Sequence, residues 1–425
     1  MKVIIIGGGW AGCAAAITAR YAGAEVEVYE KTDMLLGLGN VGGIMRNNGR
    51  YTAAEELCAL GLEDIFNITD SNTLHKNLNF PGHEHAWLYD VIKIEPEMKR
   101  YMKKLGIKIN LIARVVDVKM KEKSIEGIYL SDGTFITGDA FVETTGSTGP
   151  MGNCLKYGKG CVMCILRCPS FGPRVSISNK AGVEDLQGER EDGTPGAFSG
   201  SVEVSRESLS EELNEILTRD GVAIIKIPEK DMDKGKLKLK VCQQYALPEF
   251  AENVILLDTG HIKIMTPYYP LEKLRELKGF ENARYIDPYS GGKGNSIRYL
   301  SVAPRDNGMK VKGIDNLFCA GEKSGLFVGH TEAIATGSLA GHNSVRIGAG
   351  KAPIILPEET AVGDLIKYTL EKMETLEGRR NRYTFAGSDY FIRMKERGLY
   401  TTNLGEIRER INKLHLTNLY KIKII

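Results

Sequence analysis

Four of the chain's eight cysteines, Cys154, Cys161, Cys164 and Cys168, fall in one short window, and Pro169 follows the last of them. Packing rarely concentrates thiols this way, so the spacing C-x6-C-x2-C-x3-C-P points to chemistry. Its last three cysteines and the proline match the end of the C-x2-C-x2-C-x3-C-P run that ligates iron–sulfur clusters, with Cys154 set upstream by a longer loop. Four thiolates on a glycine-bearing loop can close around a 4Fe–4S cluster. Zinc ordinarily takes two separated C-x2-C knuckles, and only the pair Cys161 and Cys164 is present in this window, so zinc ranks second. Redox-active thiols and inert buried cysteines are the remaining accounts.

A different chemistry opens the chain. Lys2 to Ile6 is a continuous β-branched run, the pattern of a strand buried on both faces, and it leads into Gly7-Gly8-Gly9-Trp10-Ala11-Gly12 and then Ala14-Ala15-Ala16. Strand, glycine turn and helix in that order form a dinucleotide site. Gly7 permits the tight turn, Gly9 admits a pyrophosphate, Gly12 lets helix and strand pack closely, and the helix start faces the phosphates. The alternating strand from Glu25 ends at Glu30, whose carboxylate can accept ribose hydroxyls.

Val28-Tyr29-Glu30-Lys31 resembles the end of the second strand in the FAD-binding flavoproteins. The stretch GIDNLFCAGEKSGLFVGHTEAIATGSLAG, Gly313 to Gly341, resembles their second flavin motif. That likeness implies that Gly321 and Glu322 bind the ribityl chain, Glu322 standing where many members carry aspartate. It also implies that Gly329, His330 and Thr331, at a helix start, face the flavin pyrimidine ring, where peptide N–H groups and the dipole favour negative charge. Phe141 to Gly149 resembles the Thr-Gly strand end of the same family and implies Thr145 and Gly146 as cofactor contacts. CPSFGPRVS, LKGFENARYIDP and the stretch Leu277 to Ser344 resemble the flavin-dependent tRNA-modifying proteins related to glucose-inhibited division protein A and the flavin- and folate-dependent tRNA uridine methyltransferases. In that group a flavin-side cysteine acts as nucleophile or acid, and Cys168 is the match.

Other side chains extend the candidate site. Arg46 and Arg50 follow the glycine-rich GLGNVGG and could line the flavin pocket; Arg174 could anchor substrate; Lys293 and Arg298 could grip an anion. His330 could donate to flavin or substrate, which makes it a catalytic candidate with Cys168. His83 and His85 flank Glu84 and are read as a solvated loop pair or a metal or substrate site. Arg379 to Tyr383 and Tyr390 to Arg393 interleave basic and aromatic residues, which suits either a solvated helix face or a nucleic-acid backbone with a stacked base.

These residues require an α/β fold: a Rossmann-like, glutathione-reductase-like FAD-binding domain built from residues 1–150 and 300–350. A mixed α+β insert of residues 151–299 would carry substrate or cluster, and a helical segment would span 351–425. Strands are expected at Lys108 to Val118 and Ile125 to Leu130, with a turn at Asp132-Gly133. The length of 425 residues allows two or three domains at about 150 residues each. No second G-x-G-x-x-G follows a strand in the insert, so NAD(P)H, if it is the reductant, would dock on the flavin face. Lys+Arg 56 against Asp+Glu 54 leaves a net charge of +2, which pulls the chain toward neither nucleic acid nor membrane. The lack of a long apolar run or a signal-like start gives a cytoplasmic expectation, and a homo-oligomer is compatible with the composition. The reading that follows is an FAD-dependent oxidoreductase passing electrons to an iron–sulfur cluster. A flavoenzyme modifying tRNA uridine is the alternative, and an electron-transfer subunit of a larger complex is the third.

Overall fold

A computed structural model of the chain describes residues 1–147, 168–189, 193, 197–198, 202–239, 246–266, 269–286, 297–298 and 301–425. Its centre is a five-stranded parallel sheet in the order Leu317–Cys319, Ala140–Glu143, Lys2–Ile6, Glu25–Tyr29, Lys108–Asn110. The middle strand is apolar on both faces because both are covered. Val3 and Ile5 pack with the helices Trp10–Tyr21 and His330–Gly348, whereas Ile4 and Ile6 pack with Val115, Ile125 and Ile128. Burial of each such side chain contributes about 1.5–3 kcal/mol.

The two helices approach closely because small residues line their contact. A side chain on Gly337 or Gly341 would meet the carbonyl oxygens of Ala11 or Ala15 at 2.2 and 2.1 Å. Thr18 Oγ1 donates to Ser338 O across the same contact, at 2.9 Å.

The expected strand from Lys108 to Val118 is two strands in different sheets. Lys108–Asn110 pairs in parallel with the strand Glu25–Tyr29, while Val115–Lys121 joins Ser124–Leu130 and Phe135–Thr137 in an antiparallel meander. The break falls at Ile112, whose φ of 54° turns the chain. There Ile112 N and Ala113 N bond Thr32 O and Glu30 O, each at 2.9 Å, so the linker crosses the end of the second strand.

A four-stranded antiparallel sheet follows, in the order Val202–Val204, His261–Ile264, Asn253–Thr259, Val222–Lys226. Its covering helix, Glu211–Asp220, starts where Ser210 Oγ accepts Leu213 N and stops at Gly221, with φ 72°. A three-stranded sheet, Ile44–Arg46, His83–Tyr89, Thr73–Phe80, joins it through Ile44, Leu88, Leu257 and Met265. The C-terminal segment forms the helices Ala361–Met373, Leu376–Arg380, Ser388–Glu396 and Leu404–Lys413. Tyr383 and Tyr390, expected on a solvated or base-stacking face, are instead buried in the main core. Among the described residues no helix is long and apolar enough to cross a membrane.

Candidate cofactor site

The C-terminal ends of the parallel strands open into one cavity, the place where open α/β sheets bind ligands. The first wall is the glycine turn. Gly7 has φ +105°, and a side chain there would strike Thr144 O at 2.7 Å. Thr144 Oγ1 donates to Gly7 O at 2.7 Å, which ties the turn to the neighbouring strand end. Gly12 stands behind it, where a Cβ would lie 1.9 Å from Gly7 O. The helix Trp10–Tyr21 begins at Gly9 with no side-chain cap, so its first N–H groups and positive dipole end are left to whatever enters beside Gly9, Trp10 and Ala11.

One end of the cavity gathers Glu30, Lys31, Thr32, Ala113, Arg114 and Pro173. Glu30 is held rigidly: Oε2 accepts Gly8 N at 2.6 Å, and Oε1 accepts Thr32 N and Thr32 Oγ1 at 2.9 Å. A carboxylate oxygen has two lone pairs, so Oε1 is filled by its two donors and Oε2 can still receive a hydroxyl. Lys31 Nζ donates to Gly172 O and Arg114 Nε to Pro173 O, at 2.9 and 3.0 Å, which fixes the return of the chain after the short helix Cys168–Phe171.

The other end gathers Gly39, Gly42, Lys263, Met265, Val328 and His330. His330 opens its helix after Gly329, again with no side-chain cap. Tyr89 OH donates to Gly39 O at 2.5 Å and lies 3.1 Å from His330 Nδ1. Burial pushes the Tyr89 phenol well up, so it keeps its single proton. With that proton given to Gly39, the oxygen accepts from Nδ1–H, which orients the His330 ring. Between the ends lie Gly321, with φ +65°, and Glu322, whose Oε2 accepts Ser147 Oγ at 3.1 Å.

Of the residues singled out in the sequence, Gly7, Gly9, Trp10, Ala11, Glu30, Lys31, Thr145, Gly146, Gly321, Glu322, Gly329 and His330 line this cavity, as do Arg50 and Arg174. Thr331 is behind the wall, its Oγ1 donating to Met45 O at 2.7 Å. Arg46 is not among the lining residues. Its guanidinium is bound by Glu55, at 3.0 Å, and by Asp70, and it packs over the rings of Phe66 and Trp87. His83 is buried rather than solvated, pairs through Nδ1 with Asn47, and is held neutral, its pKa lowered to about 3 by burial and by Arg50. Lys263, Arg114 and Tyr89 were not singled out, since no local pattern marks them.

Cys154, Cys161, Cys164 and Lys293 lie outside the described residues, and Arg298 is described only as part of the strand Ile297–Arg298. Cys168 opens the helix Cys168–Phe171, five residues before the cavity-lining Pro173. Among the described residues, no group of three or more histidine, cysteine or acidic side chains is placed to hold a metal ion.

The donor set suits a dinucleotide: two uncapped helix starts for negative charge, a carboxylate for a ribose and a second for a polyol. The model of the glucose inhibited division protein A family matches residues 2–246 and 260–352. The chain belongs to the glucose-inhibited division protein A family. A tRNA uridine 5-carboxymethylaminomethyl modification enzyme MnmG from Mycoplasma mycoides subsp. mycoides is 26% identical over 87% of this chain and 66% of its own. A methylenetetrahydrofolate–tRNA-(uracil-5-)-methyltransferase TrmFO from Thermotoga petrophila is 34% identical over 24% of this chain and 22% of its own. Aquifex aeolicus GidA shares the fold with a TM-score of 0.67 at 19% identity, over 99% of this chain and 73% of that one. The chain thus spans just under two thirds of that MnmG relative and a smaller part of the TrmFO relative.

Proposed function

We propose that this family member binds FAD in the cavity and uses it to modify C5 of a uridine in tRNA, the position named for both kinds of relative. One observation carries the reading: the glycine turn, Glu30, Glu322 and the uncapped starts of two helices converge on a single cavity at the C-terminal ends of the parallel strands. Flavin would supply the two-electron step that sets the oxidation level of the carbon unit at C5. Glu30 would hold the adenosine ribose, the Gly9 helix start the pyrophosphate, and Glu322 the ribityl hydroxyls. The Gly329–His330 helix start would face the ring, with His330 oriented by Tyr89. Cys168 would supply the thiol that attacks or protonates the base. The electron-transfer reading rests on Cys168 together with Cys154, Cys161 and Cys164, the last three outside the described residues, and gains no support from the cavity.

The test has two readouts. Purified protein titrated with FAD should take up about one equivalent, with the quenching and shift of a buried flavin. With FAD, NAD(P)H, methylenetetrahydrofolate and unmodified tRNA transcript, nucleoside mass spectrometry should find a new C5-substituted uridine, absent with Cys168→Ala. Protein that takes up no FAD ends the proposal, and protein that takes it up yet leaves tRNA unchanged with every one-carbon donor tried ends its tRNA half.

A further inference from the structure

Lys263 reaches the cavity from the antiparallel sheet rather than from the parallel sheet that makes the glycine turn. On the strand His261–Ile264 its neighbours Ile262 and Ile264 are in the core of that sheet, so alternation turns Lys263 to the opposite face. There Nζ donates to Val41 O at 2.8 Å and Gly42 O at 2.7 Å, and Gly42 packs against the His330 ring. The ammonium is therefore pinned in the wall beside His330, only 9% exposed. Arg50, which also lines this end, is matched by Glu332 at 3.0 Å.

Glu203 sits directly across the ladder from Lys263. It is buried, and its Oε1 has no hydrogen-bond partner. Burial pushes its carboxyl pKa up, and the Lys263 charge pulls the other way. A buried cation with an incompletely solvated carboxylate behind it is an electrostatic setting, and charge near a flavin ring tunes its electronics.

Resting on the FAD reading above, we infer that Lys263 is the cation by which the antiparallel sheet favours the anionic reduced form of the bound flavin, and that Glu203 tempers that charge. Reduction by two electrons and one proton leaves the flavin with one added negative charge, which a fixed ammonium at this end stabilises relative to the neutral oxidised ring. Removing the ammonium therefore weakens the reduced complex more than the oxidised one. Removing the carboxylate does the reverse.

The experiment is anaerobic dithionite titration of the FAD-loaded full chain against a reference dye at pH 8. It is read as the ratio of affinities for reduced and oxidised FAD. Lys263→Met should lower that ratio about tenfold, equivalent to about 30 mV for a two-electron couple; Lys263→Arg should stay near wild type, and Glu203→Gln should raise the ratio. A mere clamp on the Val41–Gly42 turn predicts that Lys263→Met weakens both forms equally, and that result overturns the inference, as does a shift of the same sign in Lys263→Met and Glu203→Gln. If Lys263→Met does not fold, an unchanged or lowered ratio in Glu203→Gln overturns it instead. Wild-type protein that takes up no FAD defeats the FAD reading and this inference together, whereas flavin-loaded wild type with an unmoved Lys263→Met ratio defeats the inference alone.

Discussion

Arg50 Nε donates to both carboxylate oxygens of Glu332, each at 3.0 Å, although the two residues are 282 positions apart. The guanidinium also donates to Val328 O, Thr384 Oγ1 and Asn47 Oδ1, while Glu332 accepts from Thr384 Oγ1 and Phe385 N. The pair therefore joins the Gly49–Leu57 helix, the start of the His330 helix and the C-terminal segment at one buried point. A side chain on Gly329 would meet Glu332 Oε2 at 1.9 Å, so the network is packed directly against the helix start that lines the cavity.

Arg50→Ala should destabilise the protein by about 3–5 kcal/mol, the usual cost of stripping one member from a buried pair. Glu332→Gln keeps the acceptor shape and should cost less. Urea unfolding monitored by circular dichroism measures both. Equal stability of Arg50→Ala and wild type would show that the network does not hold the helix start.

Glu30 should decide which flavin is bound. Glu30→Ala removes acceptors that only an adenosine ribose can use, so affinity for FAD should fall about ten- to a hundredfold, the range for hydrogen bonds to a charged group. Affinity for FMN, which has no such ribose, should change far less. Fluorescence titration with each flavin gives the comparison, and an equal loss for both would assign Glu30 only to its bonds with Gly8 and Thr32.

His342 predicts a pH dependence. It is fully buried in the His330–Gly348 helix, neither ring nitrogen has a hydrogen-bond partner, and burial lowers its pKa to about 4. The folded pKa lies below the unfolded value near 6.5, so the unfolded chain binds the extra proton first. The stability contribution is complete above about pH 6.5 and is lost as pH falls toward 4, by roughly 3 kcal/mol at full extent. His342→Phe keeps a flat ring against Tyr420 and should flatten this acid limb while raising stability at neutral pH by about 1–3 kcal/mol, through removal of unpaired polar atoms. Melting temperatures of the two proteins between pH 4 and 8 supply the test.

How much of this was readable in advance depends on where each constraint lies along the chain. Gly7, Gly9, Gly12, Glu30, Gly321 and Glu322 were legible because each sits within a few residues of a strand end, and a turn or helix start there imposes a local demand. Arg46 and Arg50 look alike in sequence, yet Arg46 lies on a strand beside Asp70 and Glu55 whereas Arg50 lies on the following helix and reaches the cavity. Lys263 and Tyr89 were invisible for a stronger reason. Their partners, the Val41–Gly42 turn and His330, are more than 200 residues away in the chain, and alternation along a strand does not say what the outward face meets. Tyr383 and Tyr390 misled because aromatic residues interleaved with arginines look the same on a core-facing segment and on a nucleic-acid surface.

Gly42 offers the strictest test of the site geometry. Its backbone is one that alanine adopts, but a Cβ there would lie 1.7 Å from His330 Cε1, so the cost of Gly42→Ala must come from displacing that imidazole. Alone, the substitution should cost about 1–3 kcal/mol as an overpacked contact, and it should weaken FAD binding by moving the ring from Tyr89. In a His330→Ala background the obstruction is gone and Gly42→Ala should be nearly neutral. The double-mutant cycle then returns a coupling energy of about 1–3 kcal/mol. Additive costs in urea unfolding would mean that the glycine is required for something other than room for His330.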